Sequence, residues 1–260
     1  MMSFTTMLHY CTQGEASNPA IITIHGLFGS LANVRPISQP LAKDYYSITV
    51  DCRNHGYSFH NDSMTYAEMS RDICDVMTHL GVPKATIIGH SMGGKIAMAC
   101  GLYYPDKVTR IVSIDIAPKH YPPYHLGIMN ALLNTLSLQA FSSKTAVSDH
   151  LAAHIPNPAL RQFLVKSIAK NPDGSLHWLF NIPAIHHNYA TITQFMDHPP
   201  SRIPILFIQG TRSEYISSAD YPHIYAQFPN ATIQSMDTSH WVHAENPKET
   251  LTNIQNFLNN

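Results

Sequence analysis

The sequence predicts an α/β fold: a mostly parallel central sheet flanked by helices on both faces, broken by one helical insertion. Two observations carry this. Short runs rich in β-branched residues alternate with helical stripes up to residue 118, and the alternation resumes after residue 200. Between them, residues 119–200 carry mainly helical patterns bracketed by Pro122-Pro123 and Pro199-Pro200. The expected organisation is a core of 1–118 and 201–260 with a cap of 119–200.

The first ten residues fit an edge strand or two, with a turn near Gln13-Gly14. Residues 20–25 form a strand ending in His25-Gly26-Leu27-Phe28-Gly29. A helix follows over 33–42, then a strand over 45–50 that runs into Asp51-Cys52-Arg53-Asn54-His55-Gly56-Tyr57-Ser58. From Thr65 to Leu80 the apolar positions Met69, Ile73, Val76, Met77 and Leu80 make a helical stripe, which Gly81 closes. Residues 85–88 are a buried strand. Residues 92–104, rich in small side chains, are a helix packed close to the sheet and stopped by Pro105. The strand at 108–114 ends at Asp115. In the insertion, helices are expected over 127–138, 143–154, 158–170 and 183–195. A strand at 203–208, a helix near 218–227, a strand at 231–236 and a helix at 247–258 complete the chain.

The bulk numbers narrow the function. A chain of 260 residues buries one large α/β core with room for an insertion. A formal net charge of −1 and the lack of a basic run argue against a nucleic-acid partner. Seventeen histidines are many, and most are expected in loops and on the surface. The four cysteines, Cys11, Cys52, Cys74 and Cys100, form no C-x-x-C pair, so a reduced, cytoplasmic setting is expected. Cys100 reads as a small apolar filler in a buried helix. The N-terminus lacks a basic region before an apolar stretch, and no apolar run approaches a membrane span, so neither a signal peptide nor stable membrane insertion is expected.

The most informative segment is Ala85-Thr86-Ile87-Ile88-Gly89-His90-Ser91-Met92-Gly93-Gly94. A strand, a sharp turn with one serine and a helix spell G-x-S-x-G, the nucleophile elbow. A serine hydroxyl needs exposure, a base and an oxyanion site to act as a nucleophile at neutral pH. The turn supplies exposure for Ser91. Gly89 and Gly93 leave room where strand and helix cross.

The base is expected at His240, in the loop between the last strand and the last helix. His243 stands three residues on, but no third ligand with suitable spacing appears, so no metal is expected. The acid would stand three residues after Gly210, where the chain has Ser213. A hydroxyl carries no charge, so the acid is expected at Asp115 at the end of the neighbouring strand, ahead of Glu214 and then Asp237. Ser213 is then an accessory that hydrogen-bonds the Asp115 carboxylate or the His240 ring. The oxyanion donors are expected to be the backbone N–H groups of Met92 and Leu27, with Phe28 as the alternative.

His25-Gly26-x-x-Gly29, Asp51-x-Arg53-x-His55-Gly56-x-Ser58, Gly89-x-Ser91-x-Gly93 and His240-x-x-His243-Ala244-Glu245-x-Pro247 follow one another in a family's order. In them the chain resembles a serine esterase of the α/β-hydrolase superfamily, and more narrowly the YbfF-type bacterial esterases, over nearly its whole length. Those enzymes carry the acid after the sixth strand in Asp-Ile-x-Pro, matched by Asp115-Ile116-Ala117-Pro118. The resemblance implies an α/β-hydrolase fold with a helical cap inserted after the sixth strand. It also implies cofactor-free hydrolysis of esters or thioesters, acyl-coenzyme A among them. Asn54 stands where the family commonly has glycine, and asparagine tolerates left-handed backbone angles. A lyase, an acyltransferase or a C–C hydrolase on the same scaffold, or a ligand receptor with slow turnover, are the rival readings. Leu126, Met129, Leu132, Leu133, Leu136, Phe141, Phe163, Trp178, Phe180 and Tyr189 are open to two uses, lining a lipid pocket or packing the insertion, and packing is the expected use for most.

Overall fold

A computed structural model describes residues 7–259. Its main sheet has seven strands: β1 Tyr10–Gln13, β2 Ala20–Ile24, β3 Tyr46–Val50, β4 Ala85–His90, β5 Val108–Ile114, β8 Ile205–Gly210 and β9 Ala231–Met236. Their order is β1-β3-β2-β4-β5-β8-β9, with only β1 antiparallel to its neighbour. Every residue of β2, β4 and β8 is buried, as strands covered on both faces must be. The apolar residues fall into two clusters. Ile22, Ile24, Ile87 and Phe207 belong to one, and Ile21, Ile88, Val112 and Leu206 to the other. Neighbouring residues of one strand thus pack into different clusters, the period-two alternation of a sheet buried on both sides.

The covering helices are α1 Leu31–Leu41, α2 Tyr66–His79, α3 Met92–Tyr103, α9 Tyr221–Gln227, α10 Val242–Glu245 and α11 Pro247–Asn259. α2 opens with a capping box: the Thr65 hydroxyl accepts from Glu68 N, and the Glu68 carboxylate accepts from Thr65 N. α3 follows β4 with only Ser91 between them, and Ser91 holds φ 53° and ψ −120°, outside the common regions for a residue with a side chain.

From the end of β5 the chain runs through α4 Leu126–Leu133, α5 Lys144–Leu151, α6 Pro158–Lys166, the hairpin β6 Ile168–Lys170 and β7 Leu176–Trp178, α7 Ile182–His187 and α8 Tyr189–Thr193, before returning at β8. The hairpin replaces the end of the helix expected over 158–170. The helix expected over 183–195 is divided at Asn188, whose side chain accepts from Met64 N and donates to Asp62 O. Tertiary bonding by this asparagine overrides the helical pattern. β5 is the fifth strand among the described residues. A second N-terminal edge strand would fall on residues 1–6, outside them.

The inserted helices are tied down where they meet the sheet's carboxyl ends. Tyr66 Oη donates to Ile192 O at 2.7 Å, Ser167 Oγ to Phe28 O at 3.0 Å, and Asn181 N to Asn54 O at 2.9 Å. The elbow is the tightest crossing. A Cβ on Gly89 would lie 2.0 Å from Gly93 O, and one on Gly93 2.5 Å from Ile24 O. Both obstacles are backbone, which cannot swing aside. Gly89→Ala therefore lowers stability by about 3 kcal/mol, the upper part of the usual cost of overpacking. Urea denaturation checks this, and a variant as stable as the parent contradicts the close packing.

Candidate active site

Five segments converge because parallel strands end on one side of the sheet. Leu27 follows β2, Ser91 follows β4, Asp115 follows β5, Ser213 follows β8 and His240 follows β9. Asp115 is fully buried with φ 51°, a conformation uncommon outside glycine. Its Oδ1 accepts from Gly210 N at 2.9 Å. Its Oδ2 accepts from Ser213 Oγ at 2.5 Å and from His240 Nδ1 at 2.7 Å. Three donors satisfy a carboxylate that could not otherwise be buried. With Nδ1–H committed to Asp115, His240 presents an unprotonated Nε2. Of the other acid candidates, Glu214 is exposed, and Asp237, 87% exposed, pairs with Arg212 at 3.0 Å. Ser213 also accepts from Tyr215 N at 3.2 Å, so its hydroxyl is held with its proton toward Asp115.

The first loop is held from beneath by two imidazoles of like tautomer. His25 Nδ1 donates to Gly26 O, and its Nε2 accepts from Cys52 N. His55 Nδ1 donates to Arg53 O, and its Nε2 accepts from Phe28 N at 3.2 Å. The Phe28 amide, the alternative first-loop donor, is thus taken by an imidazole. Arg53 in turn is buried and forks onto Asp72, Nε to Oδ2 at 2.6 Å and Nη2 to Oδ1 at 2.8 Å. Asp51 accepts from Leu31 N and Tyr57 N. The residues around Arg53 and His55 are therefore the brace of the first loop.

Several neighbours escape sequence reasoning. The Tyr215 ring stacks on His240 with centroids 3.7 Å apart and planes 15° off parallel. His90 Nε2 donates to His240 O at 2.9 Å, and its ring lies 4.5 Å from that of His243. Lys95, one turn beyond Ser91, is 1% exposed, and its Nζ donates to Thr193 O at 2.8 Å and Gln194 O at 2.7 Å. Burial pushes Lys95 down to about 7, with the nearby charge of Lys119 adding to it. Only the adjacency of His90 to the elbow and of Tyr215 to Ser213 could have drawn notice. The partners come from elements far apart in the chain.

Two cavities meet at Ser91. A cleft of about 1070 Å³ is walled by His240, Trp241, Leu160, Phe163 and Ser213. An inner pocket of about 40 Å³ is walled by Met92, Lys95, Tyr121 and Ile192. Leu27, Ser91, His125 and Tyr215 line both. Of the insertion's apolar residues weighed from the sequence, Phe163 lines the cleft and Tyr189 the inner pocket, while Met129, Leu132, Trp178 and Phe180 are buried in packing. Among the described residues no group of three or more His, Cys, Asp or Glu side chains is placed to hold a metal ion, and no helix is long and apolar enough to cross a membrane.

Residues 19–141 match the model of the alpha/beta hydrolase fold family. The chain belongs to the α/β-hydrolase fold family, in the branch of the YbfF-type esterases. It is 36% identical to Esterase YbfF of Escherichia coli (strain K12), over 95% of this chain and 96% of that one. It is 34% identical to the sn-1-specific diacylglycerol lipase ABHD11 of Xenopus tropicalis, over 94% of this chain and 79% of that one. Among solved structures, one described as a marine microorganism esterase superposes with a TM-score of 0.93 at 33% identity, covering 97% of this chain and 100% of the other.

Four of the seventeen histidines are buried: His25 and His55 beneath the first loop, and His90 and His243 beside the cleft. Burial lowers each, His55 to about 3 and His243 to about 4. An imidazole that is neutral when folded takes up a proton on unfolding once the pH is below about 6.5. The unfolded chain then binds more protons, so stability falls as pH drops from about 6.5 towards 4. Urea midpoints between pH 6 and 5, above most carboxylate pKa values, are expected to decline. His55→Gln, which keeps an acceptor for Phe28 N but takes no proton, flattens part of the slope. A flat profile for the parent contradicts the neutral buried imidazoles.

Proposed function

We propose that the chain hydrolyses carboxylic esters, and thioesters such as acyl-coenzyme A, through an acyl-enzyme on Ser91. The observation that carries this is the His240 Nδ1–Asp115 Oδ2 contact of 2.7 Å, with Ser91 and His240 on the wall of one cleft. It orients the imidazole so that Nε2 takes the Ser91 proton as Oγ attacks the substrate carbonyl. The Leu27 and Met92 amides stabilise the oxyanion. The carbon–oxygen or carbon–sulfur bond then breaks, and His240 gives its proton to the departing alcohol or thiol. Water, deprotonated by His240, attacks the acyl-enzyme and frees the acid and Ser91. No cofactor enters the scheme.

Asp115 holds the tautomer and stabilises the imidazolium, and Ser213 orients Asp115. In this reading residues 119–200 are the cap over Ser91, and the enzyme works in the cytoplasm, in keeping with four free cysteines. Esterase and lipase relatives matched over nearly the whole chain support ester hydrolysis. An alcohol in place of water would make the same groups an acyltransferase, and a receptor would hold the acyl-enzyme without releasing it.

A fluorophosphonate probe is expected to label Ser91, with Ser91→Ala losing both label and turnover. Asp115→Asn is expected to lower kcat about 10⁴-fold, by the wrong tautomer. Ser213→Ala removes one donor from a buried carboxylate and is expected to lower kcat/KM about tenfold. Unlabelled, folded protein contradicts the serine mechanism, and full activity in Ser213→Ala contradicts its accessory role.

A further inference from the structure

At the end of the sheet away from Ser91, a further cavity of about 430 Å³ opens between β5, β8, β9 and α11. That volume is within the usual range of a small-molecule site. The strand register explains its walls. Arg110, Val112 and Ile114 of β5 alternate onto one face of the sheet. Val112 stands beside Leu206 of β8, and Leu206 beside Thr232 of β9. Val112, Ile114, Leu206 and Ile208 are buried in one apolar cluster with Ile254 of α11, and Phe257 packs against it. Towards the amino ends of the strands the row continues into Arg110 and Pro204, where the apolar core gives way to the cavity. The active-site groups follow the opposite, carboxyl ends. Leu206 and Gly210, near the two ends of β8, are roughly 13 Å apart along the strand.

Among the described residues that line the cavity, Arg110 is the one with a charge, and none is acidic. Its guanidinium lies over the Phe257 ring, 5.9 Å from the centroid. No hydrogen bond or ion pair to a described residue engages its N–H donors. Asn253, one turn before Phe257 on the same helix face, has a side-chain Nδ2 that is buried with no partner. Rotation about χ2 turns that amide towards the cavity, where an acceptor oxygen would relieve the cost of burying it unpaired.

The cavity thus combines one positive charge, a planar donor fork and apolar walls from Pro204, Leu206 and Phe257. A guanidinium fork matches a carboxylate in charge and in shape. A single cation suits a monoanion, whereas a phosphate dianion would bring unbalanced charge against a half-buried wall. We propose that this cavity is a binding site for a small organic carboxylate with an apolar body, held by Arg110 and seated on Leu206 and Phe257. The site is separate from the cleft at Ser91, and its ligand binds whatever reaction Ser91 performs.

Isothermal titration of the full chain with 2-naphthoate, its neutral analogue 2-naphthamide and inorganic phosphate tests the proposal. 2-Naphthoate is expected to bind at one site, and the amide and phosphate at least about tenfold more weakly. Arg110→Gln is expected to weaken 2-naphthoate at least about tenfold, and Arg110→Lys, which keeps the charge without the fork, by less. Arg212→Gln, which removes a cation from the wall of the catalytic cleft, is expected to leave binding unchanged. Binding that survives in Arg110→Gln with parent-like circular dichroism overturns the proposal, as does binding lost in Arg212→Gln. Equal affinity for 2-naphthoate and phosphate reduces the site to a plain cation and also overturns it. So does a parent chain that takes up no 2-naphthoate at about 10 mM. Should Arg110→Gln fail to fold, proton NMR of the parent decides: the Arg110 Nε–H resonance is expected to shift on titration, and an unmoved resonance at saturation contradicts the assignment.

Discussion

Asp115 ends β5 without solvent contact and receives three donors: Gly210 N–H, Ser213 Oγ–H and His240 Nδ1–H. A carboxylate buried in that position is tolerable only because three donors reach it from the ends of the two strands beyond β5. The amide comes from the end of β8, the hydroxyl three residues later and the imidazole from the loop after β9. The sheet register delivers all three, with Ile114 beside Ile208 and Gly210 beside Met236. Removing the carboxylate would leave the His240 tautomer unset and the Ser213 hydroxyl without its partner.

The remaining supports keep the other groups aimed at the same point. His90 and Tyr215 hold the His240 loop and ring from two sides. His25 holds the first loop by donating to Gly26 O while accepting from Cys52 N, and His55 holds it by accepting from Phe28 N. The Arg53–Asp72 fork fixes the loop that carries His55. Lys95 joins α3, the helix that begins beside Ser91, to the end of α8, the last helix of the insertion. Preorganised dipoles of this kind need no rearrangement when charge develops on a substrate.

Much of this was legible in the chain. β2, β4, β5, β8 and β9 announce themselves as β-branched runs, and the sheet is the mostly parallel one expected. Ser91 was marked by the glycines around it, whose need for space is purely local. The placing of Asp115 beside Ser213 and His240 was legible too, since a hydroxyl at 213 cannot carry charge and Asp115 ends the neighbouring strand. The hairpin at 168–178 was not legible, because its strands are three residues each and pair only with one another. Nor was the break at Asn188, which depends on bonds to residues more than a hundred positions away. Lys95 and Tyr215 were silent for the same reason. A lysine in a helix reads as exposed until the fold buries it, and a stacked ring is visible only once its partner is placed.

The Asp115–His240 hydrogen bond is tested most directly by the proton it contains. Proton NMR of the folded enzyme is expected to show a strongly downfield His240 Nδ1–H resonance that disappears in Asp115→Asn and persists in Glu214→Gln and Asp237→Asn. A resonance that survives Asp115→Asn but is lost in Glu214→Gln or Asp237→Asn would place the acid elsewhere and contradict the account.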